Sequence, residues 1–322
     1  MPTDPRSPRA HASHRIGPAP RRRIDRRRTA GLLLACLALV GLMPLEVARA
    51  DVSDPRTPPS TGPDSDPRTP ESVTVDPEVE AGFDLALYAR LLTRHTRAVD
   101  DPAGTRVDYE ALDGDADWPL LVEQIRAARP SRLGRPARLA FWINAYNILT
   151  IELVRAHRPI DSIRDIGSFF SPVWDLRVAT IEGVERSLGS IEHEILRRQG
   201  EPRIHAAIVC ASTSCPPLAR TPFRPDRLDT DLDAAMRRWL ASPEKGVAID
   251  RDARVVSLSR IFDWFEEDFE TTGGVLETIA RHVPAEDAAW LRGPGRRARK
   301  RYLDYDWSLN DLAHAADATG AP

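Results

Sequence analysis

The sequence predicts one globular domain of the α+β class, with helices packed around a small, mainly antiparallel sheet that contains hairpins. Apolar residues recur at helical spacing in several segments, while two others have the pattern of strand, tight turn and strand. Strands and helices do not alternate regularly, which argues against a doubly wound parallel sheet. Hydrophobic residues make up 42% of the 322 residues, enough for a sizeable core.

The helices follow from apolar periodicity. Segments with this spacing are 85–95, 121–128, 138–157, 190–198, 228–239 and 261–269. Pro159 explains the end of the longest one, and Ser190 is expected to cap the short helix that follows. The aromatic residues of 262–269 predict a helix face packed on the core.

The strands come from β-rich runs between turn residues. One hairpin is predicted over 176–186, with Glu182-Gly183 as its turn, and a second over 247–258 around Asp250-Arg251-Asp252. Residues 203–210 form an apolar run that predicts a strand ending at Cys210, and residues 302–307 predict a last strand.

The first 50 residues have the composition of an export signal. An Arg-rich stretch over 21–28 precedes an apolar run over 30–45 and then Ala48-Arg49-Ala50. This order predicts a signal peptide over 1–50, cleaved near Ala50. The apolar run is shorter than the roughly 20 residues that span a bilayer. The mature chain is therefore expected to begin at Asp51, to be periplasmic or extracellular, and to have no transmembrane segment.

Three further segments complete the predicted organisation. Residues 51–77 are rich in Pro, Asp, Ser and Thr and contain Ser-Asp-Pro-Arg-Thr-Pro twice, which predicts a disordered linker. The globular domain is predicted over 78–310 and a flexible tail over 311–322.

Charge and motif content exclude several classes of protein. Residues 51–322 carry 45 acidic and 35 basic residues, a net charge of −10, so the mature chain lacks the basic surface of a nucleic-acid binder. Three cysteines are too few for a disulfide scaffold or a zinc-finger array. No Gly-rich phosphate loop, Gly-x-Ser-x-Gly elbow or His-Glu-x-x-His helix is present. No cofactor or metal is predicted, and the partner could be a small molecule, a peptide or a protein.

Six local strings resemble an uncharacterised family, the domain of unknown function 547, in their order and separation. The strings are 107–109 (VDY), 141–147 (FWINAYN), 191–197 (IEHEILR), 210–218 (CASTSCPPL), 261–269 (IFDWFEEDF) and 305–310 (YDWSLN). The resemblance covers about residues 80–310. It implies no activity, but bacterial members are often exported and plant members carry a leucine zipper. In the plant pattern the position of Cys210 is also Cys, whereas that of Cys215 is Ser.

Cys210 is the strongest candidate for chemistry. A thiolate is a good nucleophile that needs a nearby base or positive charge to form at neutral pH. His193 points away from the apolar stripe of its predicted helix, which makes it the preferred base. His205 and Cys210 would lie on opposite faces of the predicted strand. A Cys210–Cys215 disulfide and plain core cysteines are the alternatives, while His193, His205 and the two cysteines match no standard zinc spacing.

Three polar residues accompany this pair. Asn144 and Asn147 share one face of the longest helix, so they either tie down a neighbouring backbone or line a site, for example as oxyanion donors. Asp306 either orients a histidine, as the third member of a triad does, or serves as a turn residue.

Two functions therefore remain open. One is a thiol-dependent hydrolase or acyl transferase, with Cys210 as nucleophile, His193 as base, and Asp306, Asn144 or Asn147 in support. The other is a non-enzymatic, extracytoplasmic binding or scaffold module with structural cysteines.

Overall fold

The computed structural model describes residues 82–168 and 171–314, and it confirms the α+β class. The predicted signal peptide and linker lie outside these residues. The α-helices are α1 (Leu85–His95), α2 (Tyr109–Asp113), α3 (Asp117–Ala127), α4 (Arg135–His157), α5 (Leu228–Leu240), α6 (Ile261–Trp264), α7 (Val275–Ala280) and α8 (Ala285–Arg292). None of the described helices combines the length and apolarity needed to cross a membrane.

The strands of the described residues form three small sheets. They are β1 (Thr96–Ala98) with β2 (Thr105–Val107), β3 (Arg177–Ile181) with β4 (Val184–Ser187), and β5 (Val247–Asp250) with β6 (Val255–Leu258) and β7 (Arg299–Tyr302). All pairs are antiparallel except β6 and β7, which run parallel. The two predicted hairpins are confirmed as β3–β4 and β5–β6, whereas the short β1–β2 pair was not predicted.

Helix α4 forms the centre of the core. Every side chain from Leu139 to Val154 is buried except the partly buried Glu152. The helix begins with a proline in its first turn, which suits a position that needs no N–H donor. A second aromatic part of the core stacks Trp239 of α5 on Phe262 of α6, with ring centroids 4.7 Å apart. Because α4 is surrounded on all sides, polar groups on it must find partners inside the protein.

The predicted strand over 203–210 is wrong. Residues Pro202–Ala206 form a 3₁₀ helix, which the Glu201 side chain caps by accepting from the Arg203 N–H at 3.0 Å. Residues 207–209 are bound by a side chain of α4 and pair with no strand. Cys210 therefore follows an irregular segment, and the predicted separation of His205 and Cys210 onto two faces loses its basis.

Three boundaries also differ from the prediction. The last strand lies at Arg299–Tyr302, before the predicted 302–307, because its partner β6 ends at Leu258, which pairs with Tyr302. The aromatic helix breaks at Phe265 and continues as the 3₁₀ segment Glu266–Thr272. Ser190 does not cap its helix; its hydroxyl accepts from the Ser187 N–H at 2.9 Å.

Residues Ser190–Leu196 are wound as a π-helix, a form that is rare and often found at functional sites.

Candidate functional site

A cavity of about 280 Å³ lies where the π-helix, the segment 205–215, helix α6 and residues 305–307 meet. Six of its fourteen lining residues are aromatic: Tyr146, Trp174, Trp264, Phe265, Tyr305 and Trp307. Its polar side chains include Glu192, His193 and His205, and both cysteines reach its wall. A mostly apolar cavity with a few converging polar groups is the usual form of a ligand site.

The cysteine loop, residues 210–215, carries a Cys210–Cys215 disulfide. Cys210 is partly exposed, whereas Cys215 is 3% exposed. The Cys210 N–H donates to Cys215 Sγ at 3.0 Å. Of the three states that the sequence left open for these cysteines, the structure adopts the disulfide.

Polar groups surround both sulfur atoms. The Tyr305 hydroxyl lies 3.2 Å from Cys215 Sγ and 3.4 Å from Cys210 Sγ. Ser212 Oγ donates to Tyr305 Oη at 3.0 Å, which leaves the Tyr305 proton free to point at sulfur. Such donors favour a thiolate over a thiol if the disulfide opens.

The loop backbone is held from outside. Residues 306–310 bind it through Thr213 N–H to Ser308 O at 2.8 Å and Asn310 N–H to Ala211 O at 2.9 Å. Ala211 has φ 60°, a left-handed conformation that costs a non-glycine residue energy. Neighbouring contacts therefore maintain a loop shape that the local sequence does not favour.

Asp306 belongs to this outer clamp. Its N–H donates to Ser214 Oγ at 2.9 Å, and its carboxylate accepts from the Ser308 N–H at 2.9 Å. The structure places it as a turn residue, and it pairs neither His193 nor His205 with this carboxylate.

Asn144 and Asn147 act as backbone clamps. The Asn147 amide donates to Ala207 O and accepts from the Val209 N–H, both at 2.9 Å. Asn144 makes the same pair of bonds with the N–H and carbonyl of Phe223, at 3.0 and 2.8 Å. Neither side chain lines the cavity. Asn147 fixes the segment that leads directly into Cys210.

His193 is exposed and reaches the cavity from the π-helix. Its Nδ1 lies 3.3 Å from an Arg197 guanidinium nitrogen, so Nδ1 is the acceptor and Nε2 carries the proton of the neutral ring. Desolvation of the part of the ring that faces the protein, together with the Arg197 charge, lowers the pKa of His193. The neutral ring therefore predominates at neutral pH.

Glu192 is a candidate functional side chain that the sequence interpretation missed. It is half-buried, faces the cavity, and accepts from the Tyr146 hydroxyl at 3.3 Å. Burial raises the pKa of Glu192 to about 7, so this carboxyl can take up or release a proton near neutral pH. Its place directly before His193 was the only signal in the sequence.

His205 belongs to a buried charge network. It stacks on Phe265 with ring centroids 4.3 Å apart, and its Nε2 lies 2.7 Å from Asp268 Oδ2. Arg197 donates to both oxygens of Asp268, at 2.6 and 2.8 Å. Although burial opposes it, the bonds from His205 and Arg197 lower the pKa of Asp268, while burial lowers the pKa of His205. Asp268, and not Asp306, is thus the carboxylate that orients a histidine of the cavity.

A known protein family matches the part of the chain that contains several residues of this site. Residues 130–240 match the model of a family described as "Protein of unknown function, DUF547". This segment of the chain is similar to that family. The DUF547 match includes Asn147, Glu192, His193 and the cysteine loop, while Asp268 and Tyr305 lie beyond it. No curated protein and no solved structure matches the chain. Among the residues that the structure describes, no group of His, Cys, Asp and Glu is arranged to hold a metal ion.

Proposed function

We propose that this protein is an exported thiol–disulfide exchange protein, in which Cys210 and Cys215 alternate between disulfide and dithiol. The observation that carries the proposal is the position of the disulfide in the wall of the cavity, with Cys210 partly exposed and Cys215 buried. The predicted signal peptide over residues 1–50 supports it, because disulfides form and persist outside the cytoplasm.

Exchange with a partner dithiol would proceed in two steps. A partner thiolate attacks Cys210 Sγ, the Cys210–Cys215 bond breaks, and Cys215 leaves as a thiolate. The second partner thiol then attacks the partner sulfur of this mixed disulfide and releases Cys210. The partner is oxidised to a disulfide, the protein is reduced to a dithiol, and the two partner protons end on Cys210 and Cys215. A partner disulfide runs the same steps in reverse.

The surroundings suit each step. The partly exposed Cys210 is the sulfur that a partner can reach. Cys215 is the better leaving group, because the Cys210 N–H and the Tyr305 hydroxyl can both donate to its sulfur. Glu192 lines the same cavity and, with its pKa near 7, can accept the proton of the incoming thiol.

The hydrolase or acyl-transferase alternative has stricter requirements. It needs a free Cys210 thiolate and a histidine whose acceptor nitrogen faces it. Cys210 is bound to Cys215, and the acceptor nitrogen of His193 is occupied by Arg197. Reduction would have to precede acyl chemistry, whereas exchange begins from the disulfide itself.

A binding module with a structural disulfide is the second candidate, favoured by the aromatic lining of the cavity. Equilibration with dithiothreitol and glutathione buffers, followed by maleimide labelling and mass spectrometry, separates the two. Exchange activity predicts that the folded protein is reduced reversibly and accelerates insulin reduction by dithiothreitol. The control is the double variant Cys210→Ser/Cys215→Ser. A disulfide that persists in the folded protein at high dithiothreitol would overturn exchange and leave the binding module.

The different roles assigned to the two cysteines provide a second measurement. Cys215→Ser leaves Cys210 alone and Cys210→Ser leaves Cys215 alone. Mixed-disulfide formation with glutathione disulfide should be faster for Cys215→Ser, since Cys210 is the accessible sulfur. Equal rates would contradict the assigned roles.

A further inference from the structure

We propose that the cavity selects partners whose reacting sulfur carries a neutral aromatic group a few atoms away. The inference rests on the proposed function and names its substrate class. It is carried by an aromatic surface that begins at the disulfide and continues to solvent.

The aromatic cluster consists of Trp264, Tyr305 and Trp307. Ring centroids are 4.9 Å apart for Trp264 and Tyr305, 4.5 Å for Tyr305 and Trp307, and 5.9 Å for Trp264 and Trp307. The Tyr305 hydroxyl touches both sulfur atoms, so the cluster starts at the reacting bond. A group attached to a sulfur that reacts with Cys210 would lie against these rings.

Exposure distinguishes this cluster from the ordinary core. Trp264 is 45% exposed although it belongs to a contiguous aromatic surface. Single exposed apolar residues are common, but a connected aromatic surface at the mouth of a cavity marks a binding site. The volume of about 280 Å³ accommodates one aromatic ring with a short linker to sulfur.

Two rings of the cavity wall already carry a guanidinium group, which argues against a cationic partner. The Arg164 guanidinium lies over the Trp307 ring at 5.2 Å and that of Arg197 over the Phe265 ring at 5.0 Å. A guanidinium group already occupies each of these ring faces, so an incoming ammonium group cannot stack on them. A neutral ring stacked or edge-on against the cluster is the group that fits best.

Methanethiosulfonates test the inference on Cys215→Ser, in which Cys210 is a free thiol. Each reagent transfers its RS group to the Cys210 thiolate and releases methanesulfinate, and mass spectrometry of the Cys210 peptide measures the rate. Rates for the benzyl, methyl and 2-(trimethylammonium)ethyl reagents are divided by their rates with N-acetylcysteine amide. The benzyl reagent should then exceed the methyl reagent about tenfold, and the cationic reagent should fall below methyl.

Matched variants identify the surface responsible. Trp264→Ala should reduce the benzyl preference to about threefold or less, while Leu120→Ala, which removes an exposed apolar residue outside the cavity, should leave it unchanged. Circular dichroism verifies that both variants are folded. Equal normalised rates for benzyl and methyl, or equal losses in the two variants, would overturn the inference.

A pair of activated peptides tests whether the aromatic group belongs to a protein cysteine partner or to a small aromatic thiol. Thiomethyl-activated Gly-Cys-Phe-Gly and Gly-Cys-Ser-Gly are compared on the same variant. Preference for the Phe peptide assigns protein cysteines as the source, and a benzyl preference alone assigns small aromatic thiols. Selectivity is measured on Cys215→Ser, so its failure is separate from failure of wild-type exchange. A selective Cys210 without turnover would contradict only the proposed function.

Discussion

Lys245 offers the sharpest test of how the cysteine loop is held. It is 2% exposed, and its ammonium donates to Cys215 O at 2.7 Å, Ala103 O at 2.8 Å and Thr213 O at 3.3 Å. No carboxylate of the described residues comes within ion-pair distance of Nζ. Lys245→Met removes the charge and all three donors while keeping most of the apolar chain.

Two opposing effects determine how far Lys245→Met changes the free energy of unfolding. Three carbonyls lose their donor, and each unsatisfied buried group costs about 1–3 kcal/mol. In the other direction, burial lowers the pKa of Lys245 from 10.5 to about 7, so wild type also carries a cost for burying this group. Because a tenfold change in proton affinity corresponds to about 1.36 kcal/mol, that cost is about 4 kcal/mol at pH 7 and about 2 kcal/mol at pH 9.

The direction of the pH dependence of the unfolding free energy follows from proton binding. Between pH 7 and 10.5 the unfolded lysine binds more protons than the folded one, so the unfolding free energy of wild type rises with pH. Below pH 7 both states are protonated and the cost is constant. The Met variant has no such dependence. Wild type should therefore gain about 2 kcal/mol over Lys245→Met between pH 7 and pH 9.

Urea unfolding followed by tryptophan fluorescence, with the disulfide intact, measures this difference at both pH values. The control is Lys300→Met, since Lys300 is the only other lysine of the chain and lies on the surface beside Glu266. Its difference from wild type should stay constant between pH 7 and 9. A flat or falling difference for Lys245→Met would refute the reasoning that a desolvated ammonium supports the loop.

Three further predictions concern the site and the leader. Asn147→Ala leaves two buried backbone groups unpaired and should cost about 2–4 kcal/mol in thermal unfolding; a loss below about 0.5 kcal/mol would contradict the clamp. After reduction, iodoacetamide at about pH 6 should label Cys210 before Cys215, because Cys210 is the more exposed of the two cysteines; equal rates would contradict that difference in access. Mass spectrometry of the protein from its native host should find Asp51 at the N-terminus, and an intact leader would exclude cleavage there.

The parts of the fold that sequence reasoning reached are those with local causes. Periodic apolar residues gave α1 and α4, and the Glu182-Gly183 turn gave β3–β4, because each pattern specifies its structure within a few residues. The strand prediction for 203–210 failed because the hydrogen-bond partner of its backbone is the Asn147 side chain, about 60 residues away on α4. An apolar run by itself does not reveal whether a strand or a side chain satisfies its backbone.

Only some residues of the candidate site could be predicted from the sequence, for the same reason. Cys210 and His193 lie in unusual local strings, and the structure brings both to one cavity. Strand parity separated His205 from Cys210, yet the 3₁₀ turn over Pro202–Ala206 lets both line the wall. Glu192 escaped notice because its shifted pKa comes from burial, which depends on distant residues.

The cysteine loop is held in place by contacts from distant parts of the chain. Asn147 fixes the backbone before Cys210, Lys245 fixes the carbonyl of Cys215, and residues 306–310 bind the loop between them. None of these bonds involves a sulfur atom, so none is lost when the disulfide opens. The two thiols should then stay close, because the clamps have already removed the chain entropy that would separate them. A dithiol held in this way closes again readily, as a cycling exchange site requires.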